Sequence, residues 1–359
     1  MKSLNLLGLD QSELSRFAES LGEAPFRGKQ LYVQLYRRKV FDPDAMTDLS
    51  KRFRAKLRET CVIRLPEVRR RSASADGTVK FLFELEDGEH VESVYIPEEG
   101  RDTLCISSQV GCAVGCTFCM TARMGFRRNL RAGEIVGQVL QVIRQGLLAE
   151  NGFNIVFMGM GEPLYNYGNV MKAFRLLTDA EGLDLSYRKI TVSTSGVVPV
   201  LERMAAEPLL PNLAISLNAT TEAVRSRVMP INLKWSLGEL LATLRKFPLE
   251  PRRRITIEYV LLADETDREE DALRLVRLLR GLRVKVNLIP YNPNRGLPHR
   301  RPTPERVARF AELLSAHDMS AFVRKTRGDD VAAACGQLAF LEREATDARH
   351  AEASVGVSP

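Results

Sequence analysis

Three cysteines within eight residues constrain this chain more than anything else in it: Cys112, Cys116 and Cys119, in the run CISSQVGCAVGCTFC. Their spacing is C-x3-C-x2-C, and a loop this short can wrap three thiolates round one metal centre. Three ligands suit a cuboidal iron–sulfur cluster whose fourth iron is left for something other than protein. Zinc is the competing reading, but a structural zinc site takes a fourth protein ligand at recognisable spacing. The chain has four histidines, and the sequence puts none near this loop. Gly111 and Gly115 let the backbone turn tightly about a bulky inorganic core, and Phe118 sets an aromatic ring before the last cysteine.

Composition narrows the setting of that loop. A chain of 359 residues, 45% apolar, can hold one large domain and a small one. It has no run of about eighteen apolar residues, so no membrane span is expected. The opening MKSLNLLGLDQSELS lacks the long apolar segment of a signal peptide, which makes the cytoplasm the expected compartment. Six cysteines, clustered rather than spread in pairs, argue against a secreted disulfide framework. The formal charge of +7 fits a polyanionic partner. Arginines gather at Arg69–Arg71, Arg127 and Arg128, Arg252–Arg254, Arg300 and Arg301, and around Arg324.

Along the chain, residues 1–62 read as a helical accessory domain. Asp10 with Glu13 has the form of a capping box. A β-hairpin follows over residues 63–100, in which Phe81, Phe83 and Leu85 alternate, Asp87-Gly88 turns, and Val91 to Ile96 returns. On the returning strand Glu92 shares a face with Val94 and Ile96, and a carboxylate in apolar company is a candidate base. An exposed edge-strand glutamate is the alternative. Residues 101–340 alternate strands (155–158, 189–193, 213–217, 255–261, 284–289, 321–324) with helices (132–148, 197–206, 237–247, 267–279, 304–317). That order predicts a parallel sheet, open or barrel-like. Polar strand ends converge in such folds: Gly159, Gly161 and Glu162, then Ser193, then Ser216 and Asn218, then Asn292. Gly159 and Gly161 would let the backbone approach a ligand, and Glu162 would accept from its ammonium. Residues 341–359 are polar and alanine-rich, and disorder is expected there.

The cysteine motif resembles that of the radical S-adenosylmethionine (SAM) superfamily. The wider run CISSQVGCAVGCTFCMTARMGFRRNL resembles the RlmN type of RNA adenine methyltransferase, with Cfr as its near relative. FMGMGEPL, ITVSTSGVVP, LAISLNAT, NLIPYNP and VRKTRGDDVAAACGQL extend the resemblance from about Val91 to Leu338. It implies an α/β fold: a partial (β/α)6 barrel with the helical N-terminal domain and the short antiparallel extension. It implies a 4Fe–4S cluster on Cys112, Cys116 and Cys119, and SAM on Gly161, Glu162, Ser193, Ser216, Leu217, Asn218 and Asn292. The family has histidine where Asn218 stands, which puts any proton-transfer role there in question. Cys335 would be methylated by one SAM. A second SAM would give a 5′-deoxyadenosyl radical that takes hydrogen from the S-methyl group, and the carbon radical would add to carbon 2 of an adenine. Glu92 would be the proton acceptor, and Cys105 would release the product through a transient disulfide with Cys335. Implied partners are 23S ribosomal RNA, transfer RNA and an electron donor such as flavodoxin, with the enzyme a monomer. Cfr-type methylation at carbon 8 and a zinc-stabilised RNA-binding protein are the alternative readings.

Overall fold

The computed structural model describes residues 4–148, 152–294 and 296–338; the tail expected over 341–359 lies outside the described residues. Asp10 opens the first helix, α1 (Gln11–Ser20), by accepting from the Glu13 N–H, while the Glu13 carboxylate accepts from Asp10 N–H. Two of the orphan donors at the helix start are thereby satisfied. Helix α2 (Phe26–Tyr32) runs on as a wider turn over Val33–Arg37, and Ser50 caps α3 (Lys51–Thr60). Leu14, Leu31, Leu35, Phe53 and Leu57 form the core of this small bundle. It docks closely on the main body: a Cβ on Gly8 would lie 2.3 Å from the Gly133 nitrogen, so side chains are excluded there. Tyr36 Oη accepts from Gly8 N–H at 2.7 Å, and Lys172 pairs with Glu13 at 2.6 Å.

Ten strands form one sheet in strict sequence order. They are β1 (Glu67–Ala73), β2 (Val79–Glu84), β3 (His90–Ile96), β4 (Thr103–Cys105), β5 (Asn154–Phe157), β6 (Ile190–Thr194), β7 (Asn212–Ser216), β8 (Ile255–Leu261), β9 (Val284–Pro290) and β10 (Ala321–Val323). From β1 to β4 the pairing is antiparallel, and from β4 to β10 it is parallel. The hairpin expected over 63–100 is therefore a three-stranded meander continuous with the main sheet, because β3 pairs directly with β4. Helices α4 (Ala132–Arg144), α5 (Tyr167–Thr178), α6 (Val198–Met204), α7 (Leu237–Lys246), α8 (Glu269–Leu279) and α9 (Pro304–Ser315) alternate with the parallel strands. The expected helix over 132–148 stops at Arg144, since Gly146 turns left-handed at φ 71.

One face of the sheet supplies the core: Ile155, Phe157, Val192, Ile215, Ile257 and Leu288 are buried with the apolar stripes of the helices. Tyr259 on β8 stacks on Phe310 of α9 at 5.5 Å. The opposite face is polar. Residues directly across a ladder point to the same side. Cys105 pairs with Val94, Ser216 with Glu258, Glu258 with Asn287, and Thr256 with Lys285. Glu92 lies two positions from Val94, and so on the same face.

That face curls round on itself. Arg324, just beyond β10, places Nη1 3.7 Å from Met158 Sδ, just beyond β5. Five strand spacings in a flat sheet would hold them about 24 Å apart. No ladder joins β10 to β4 among the described residues, so the barrel is partial, with an open seam.

Candidate active site

The cluster loop leaves β4 at the mouth of this curled sheet. Its two arms, Gln109–Gly111 and Phe126–Asn129, pair antiparallel. Gly111 (φ 72) is obligatory: a Cβ there would stand 1.7 Å from the Gly125 carbonyl oxygen. Cys112, Cys116 and Cys119 line one cavity. Burial raises the Cys112 thiol to about 12, the facing Cys119 and Glu162 add to it, and only the Val114 N–H opposes. Burial also pushes Cys116 far up, helped by Cys119 and Cys112. Thiols held up by burial in this way suit a cationic centre, which draws off their protons when they bind it. Among the described residues no three Cys, His, Asp or Glu side chains converge tightly enough for a single ion. One zinc at about 2.3 Å from each sulfur would draw the three to within about 4 Å of each other. A cuboidal cluster, which gives each cysteine its own iron, suits three thiols lining one cavity.

A histidine does reach this loop, contrary to the expectation from sequence. His299 Nε2 lies 2.8 Å from Thr117 Oγ1, and its Nδ1 lies 2.6 Å from Glu265. Both ring nitrogens are engaged, so it pins the loop rather than supplying a fourth ligand.

The same cavity is walled by Gly159, Gly161, Glu162, Ser193, Ser216, Asn218 and Asn292, with about 990 Å³ of free space including its open mouth. Packing also demands glycine at both positions. A Cβ on Gly159 would strike Ile106 O at 2.7 Å, and one on Gly161 (φ 101) would strike Gln109 Cβ at 2.5 Å. Glu162 accepts from Thr194 Oγ1 (2.6 Å), Leu164 N (3.0 Å), Ser195 N (2.8 Å) and Ser195 Oγ (2.7 Å). A carboxylate has about four acceptor sites, so an ammonium would have to displace one of these donors. Asn218 sits left-handed at φ 58, accepts from Val260 N–H at 2.9 Å and donates toward Met229 Sδ. Leu217 is fully buried away from the lining, its N–H bonded to Glu258 O and its carbonyl accepting from Arg225. Asn292 accepts from Thr326 Oγ1 at 3.0 Å.

Cys335 lines the cavity, and Cys105 is buried close enough to feel its charge. Burial lifts the Cys105 thiol to about 12, with repulsion from Cys335 next and Arg324 opposing. Burial likewise raises Cys335; Arg324 lowers it, and Glu258 and Cys119 raise it. Backbone bonds tie this segment to the cluster loop, Met120 N–H donating to Gly336 O at 2.7 Å. Glu92 is buried at 2% exposure, but its company is not purely apolar: Lys80 Nζ stands 3.2 Å from it and also donates to Ala332 O. The pairing of β2 with β3 supplies this neighbour, which the period-two reading overlooked.

Residues 106–276 match the radical SAM superfamily, and residues 4–63 match the ribosomal RNA large subunit methyltransferase N-terminal domain. The dual-specificity RNA methyltransferase RlmN of Anaeromyxobacter sp. (strain Fw109-5) is 50% identical over 93% of this chain and 90% of its own. That of Halorhodospira halophila is 49% identical over 95% of both. The chain belongs to the RlmN family of radical SAM RNA methyltransferases. A solved radical SAM methyltransferase from Sphaerobacter thermophilus shares 43% identity and a TM-score of 0.87, over 93% of this chain and 98% of that one. Membership of the superfamily brings a 4Fe–4S cluster and SAM, and the RlmN family brings ribosomal and transfer RNA as substrates. No described helix is long and apolar enough to cross a membrane.

Several residues of this RlmN-family site escaped the sequence reading. Arg225 is fully buried and donates to Leu217 O, Asn232 Oδ1 and Ser195 O, tying the ends of β6 and β7 together. Burial lowers it to about 10. Glu258 accepts from Asn287 on one oxygen, while its Oε2 has no hydrogen bond and lies 3.9 Å from Arg324. The arginine clusters are also unequal. Arg128 is spent on Asp87 and Glu134, Arg127 on Glu89, and Arg253 on Leu210 O and Asn212. Arg254 of the Arg252–Arg254 trio lines a second cavity.

Proposed function

We propose that this enzyme methylates carbon 2 of adenine, in the peptidyl-transferase region of 23S ribosomal RNA and beside the anticodon of transfer RNA. One observation carries the reading. Cys335, 230 positions after Cys105 in sequence, lines the cavity that the three cluster cysteines also line, and the buried Cys105 lies within reach of its charge. Carbon 2 of adenine is electron-poor and cannot attack SAM directly, so a plain methyltransferase would need neither thiol. The cluster, when bound, supplies the electron that cleaves SAM reductively.

The chain's own residues do the rest. Cys335, open to the cavity, accepts a methyl group from one SAM and presents it to the adenine, so each turnover uses two SAM. Gly161, Glu162, Ser193, Ser216, Asn218 and Asn292 wall the place for SAM, and Leu217 backs it from behind. Glu92 takes the proton lost from carbon 2, with Lys80 holding its carboxylate in place. Cys105 then attacks the Cys335 sulfur as thiolate, forming a disulfide and breaking the carbon–sulfur bond to the RNA. The reading includes an electron donor of flavodoxin type, a monomer and the cytoplasm. The test is anaerobic incubation with each RNA, followed by mass spectrometry of the nucleosides. The expected product is 2-methyladenosine; 8-methyladenosine would shift the assignment to Cfr-type chemistry, and no methylated nucleoside would overturn it.

A further inference from the structure

The open seam between β10 and the β3–β4 connection holds a second cavity, with about 1430 Å³ of free space. Its walls carry Arg101, Arg254, Lys285, Arg324, Lys325 and Arg327, against one acidic side chain, Glu98. The seam meets the reaction cavity at Arg324, Asn292, Ile289 and Cys335, which line both. The Cys335 thiol is thus visible from the side of the barrel as well as from its mouth.

These cations are poorly neutralised. Arg101 pairs with Glu98, and Arg327 and Arg324 each stand 3.9 Å from a carboxylate, Asp76 and Glu258 respectively. Arg254 bonds only the neutral Ser320 Oγ, while Lys285 and Lys325 have no ion pair among the described residues. Burial lowers the ammonium of Lys285; Glu258 opposes, but Arg254, Arg101 and Arg324 crowd it further. Like charges gathered in a half-buried groove cost stability, and an anion laid among them removes that cost. The edge strand adds an apolar shelf: Phe322 and Val323 are 53% and 44% exposed on β10. Sheet edges are normally shielded. A groove of cations with an exposed aromatic ring is the pattern that binds single-stranded nucleic acid, phosphates on the charges and a base on the ring.

Resting on the RNA-methyltransferase reading, we infer that the seam is a channel for the single-stranded RNA flanking the target adenosine. Phosphates next to that nucleotide lie against Arg254, Lys285 and Lys325, and a neighbouring base stacks on Phe322. The strand so held points the target base inward, toward Cys335. The exposed ends of Arg127, Arg128 and Arg253 are already committed to the protein, so they take no phosphate.

A double-mutant cycle between protein and RNA tests this. The probe is a transfer-RNA anticodon stem–loop with neutral methylphosphonate at each phosphate within two nucleotides of the target adenosine. Binding is read without SAM or turnover. For the wild-type enzyme at least one such position should weaken binding about tenfold, the size of one charge-assisted contact. Lys285→Met should bind the unmodified probe about tenfold more weakly and lose nothing more at that position. Lys325→Ala, on the surface, repeats the cycle should Lys285→Met not fold. Phe322→Ala should weaken binding about tenfold, and Phe322→Trp should restore it. Strictly additive losses, or indifference to every methylphosphonate, would overturn the channel while leaving methylation at carbon 2 intact. Normal channel coupling with no 2-methyladenosine would do the reverse.

Discussion

The timing of product release follows from the Cys105 thiol. Once the carbon bridge is made, enzyme and RNA are one molecule, and Cys105 must act as a thiolate to part them. Burial is the main cause that holds that thiol up, at about 12 while Cys335 is a free thiol; alkylation of Cys335 removes its smaller share and leaves the burial. The sign is that of a raised acid: the reactive form is scarce below that value and grows as pH rises. At pH 8 only a small fraction of a thiol raised by burial is ionised. Loss of the covalent adduct should therefore accelerate about tenfold per pH unit from pH 7 to 9, with no plateau. An ordinary cysteine near 8.5 would level off in that range. Arg324 stabilises the thiolate of both cysteines, so Arg324→Gln should slow release at every pH without changing the slope. The assay is a single turnover quenched in acid, with the nuclease-sensitive adduct followed on a denaturing gel. Cys105→Ala should methylate Cys335, consume SAM and then stall as the adduct. A plateau near pH 8.5, or free turnover by Cys105→Ala, would refute the reasoning.

Three further outcomes are expected. Glu92→Gln keeps the shape of the side chain but cannot take a proton, so RNA methylation should collapse while Cys335 is still methylated. It also strands the buried Lys80, at a cost of about 3–5 kcal/mol visible in urea unfolding; near-normal product would make Glu92 merely structural. Arg225→Met should destabilise the fold by a similar amount, about 3–5 kcal/mol, because buried carbonyls at Ser195 and Leu217 lose their donor. A loss under about 1 kcal/mol would show that the tie between β6 and β7 is dispensable. Cys116→Ala should retain little iron after anaerobic reconstitution and cleave no SAM; full reductive cleavage would remove this loop from cluster binding.

What could be read from sequence was what lies close together in it. The cluster loop carries its ligands and its turning glycines within fifteen residues, and the capping box at Asp10 spans four. Strand Ile255–Leu261 falls at its expected ends, since its apolar run is bounded by Arg252–Arg254 and by Ala263-Asp264. Helix α5 was missed: Gly168 and Asn169 in its first turn dilute the helical signal, and packing of Val170, Phe174 and Leu177 supplies what propensity does not. His299 at Thr117 and Lys80 at Glu92 come from loop closure and strand pairing across the chain, which no local pattern encodes. Gly159 and Gly161 line the cavity as expected, and packing adds a second demand for glycine there, from Ile106 O and the Gln109 side chain.

One long-range feature did leave a local trace. Parallel strands buried on both faces normally read as continuous apolar runs. Here Thr191 and Ser193 alternate with Ile190 and Val192, Thr256 and Glu258 with Ile255 and Ile257, and Lys285 and Asn287 with Val284 and Val286. A packed barrel interior is filled with branched apolar side chains and has no use for such alternation. The polar half of each strand must therefore face something other than protein. Charge makes the inference sharper: Glu258 is 4% exposed, and a carboxylate oxygen with no hydrogen bond at that depth, 3.9 Å from Arg324, is costly unless a ligand shares it. The alternation in ITIEYVL thus marks a cavity built for polar ligands, and the cations of the next strand, beginning with Lys285, extend that cavity out through the seam.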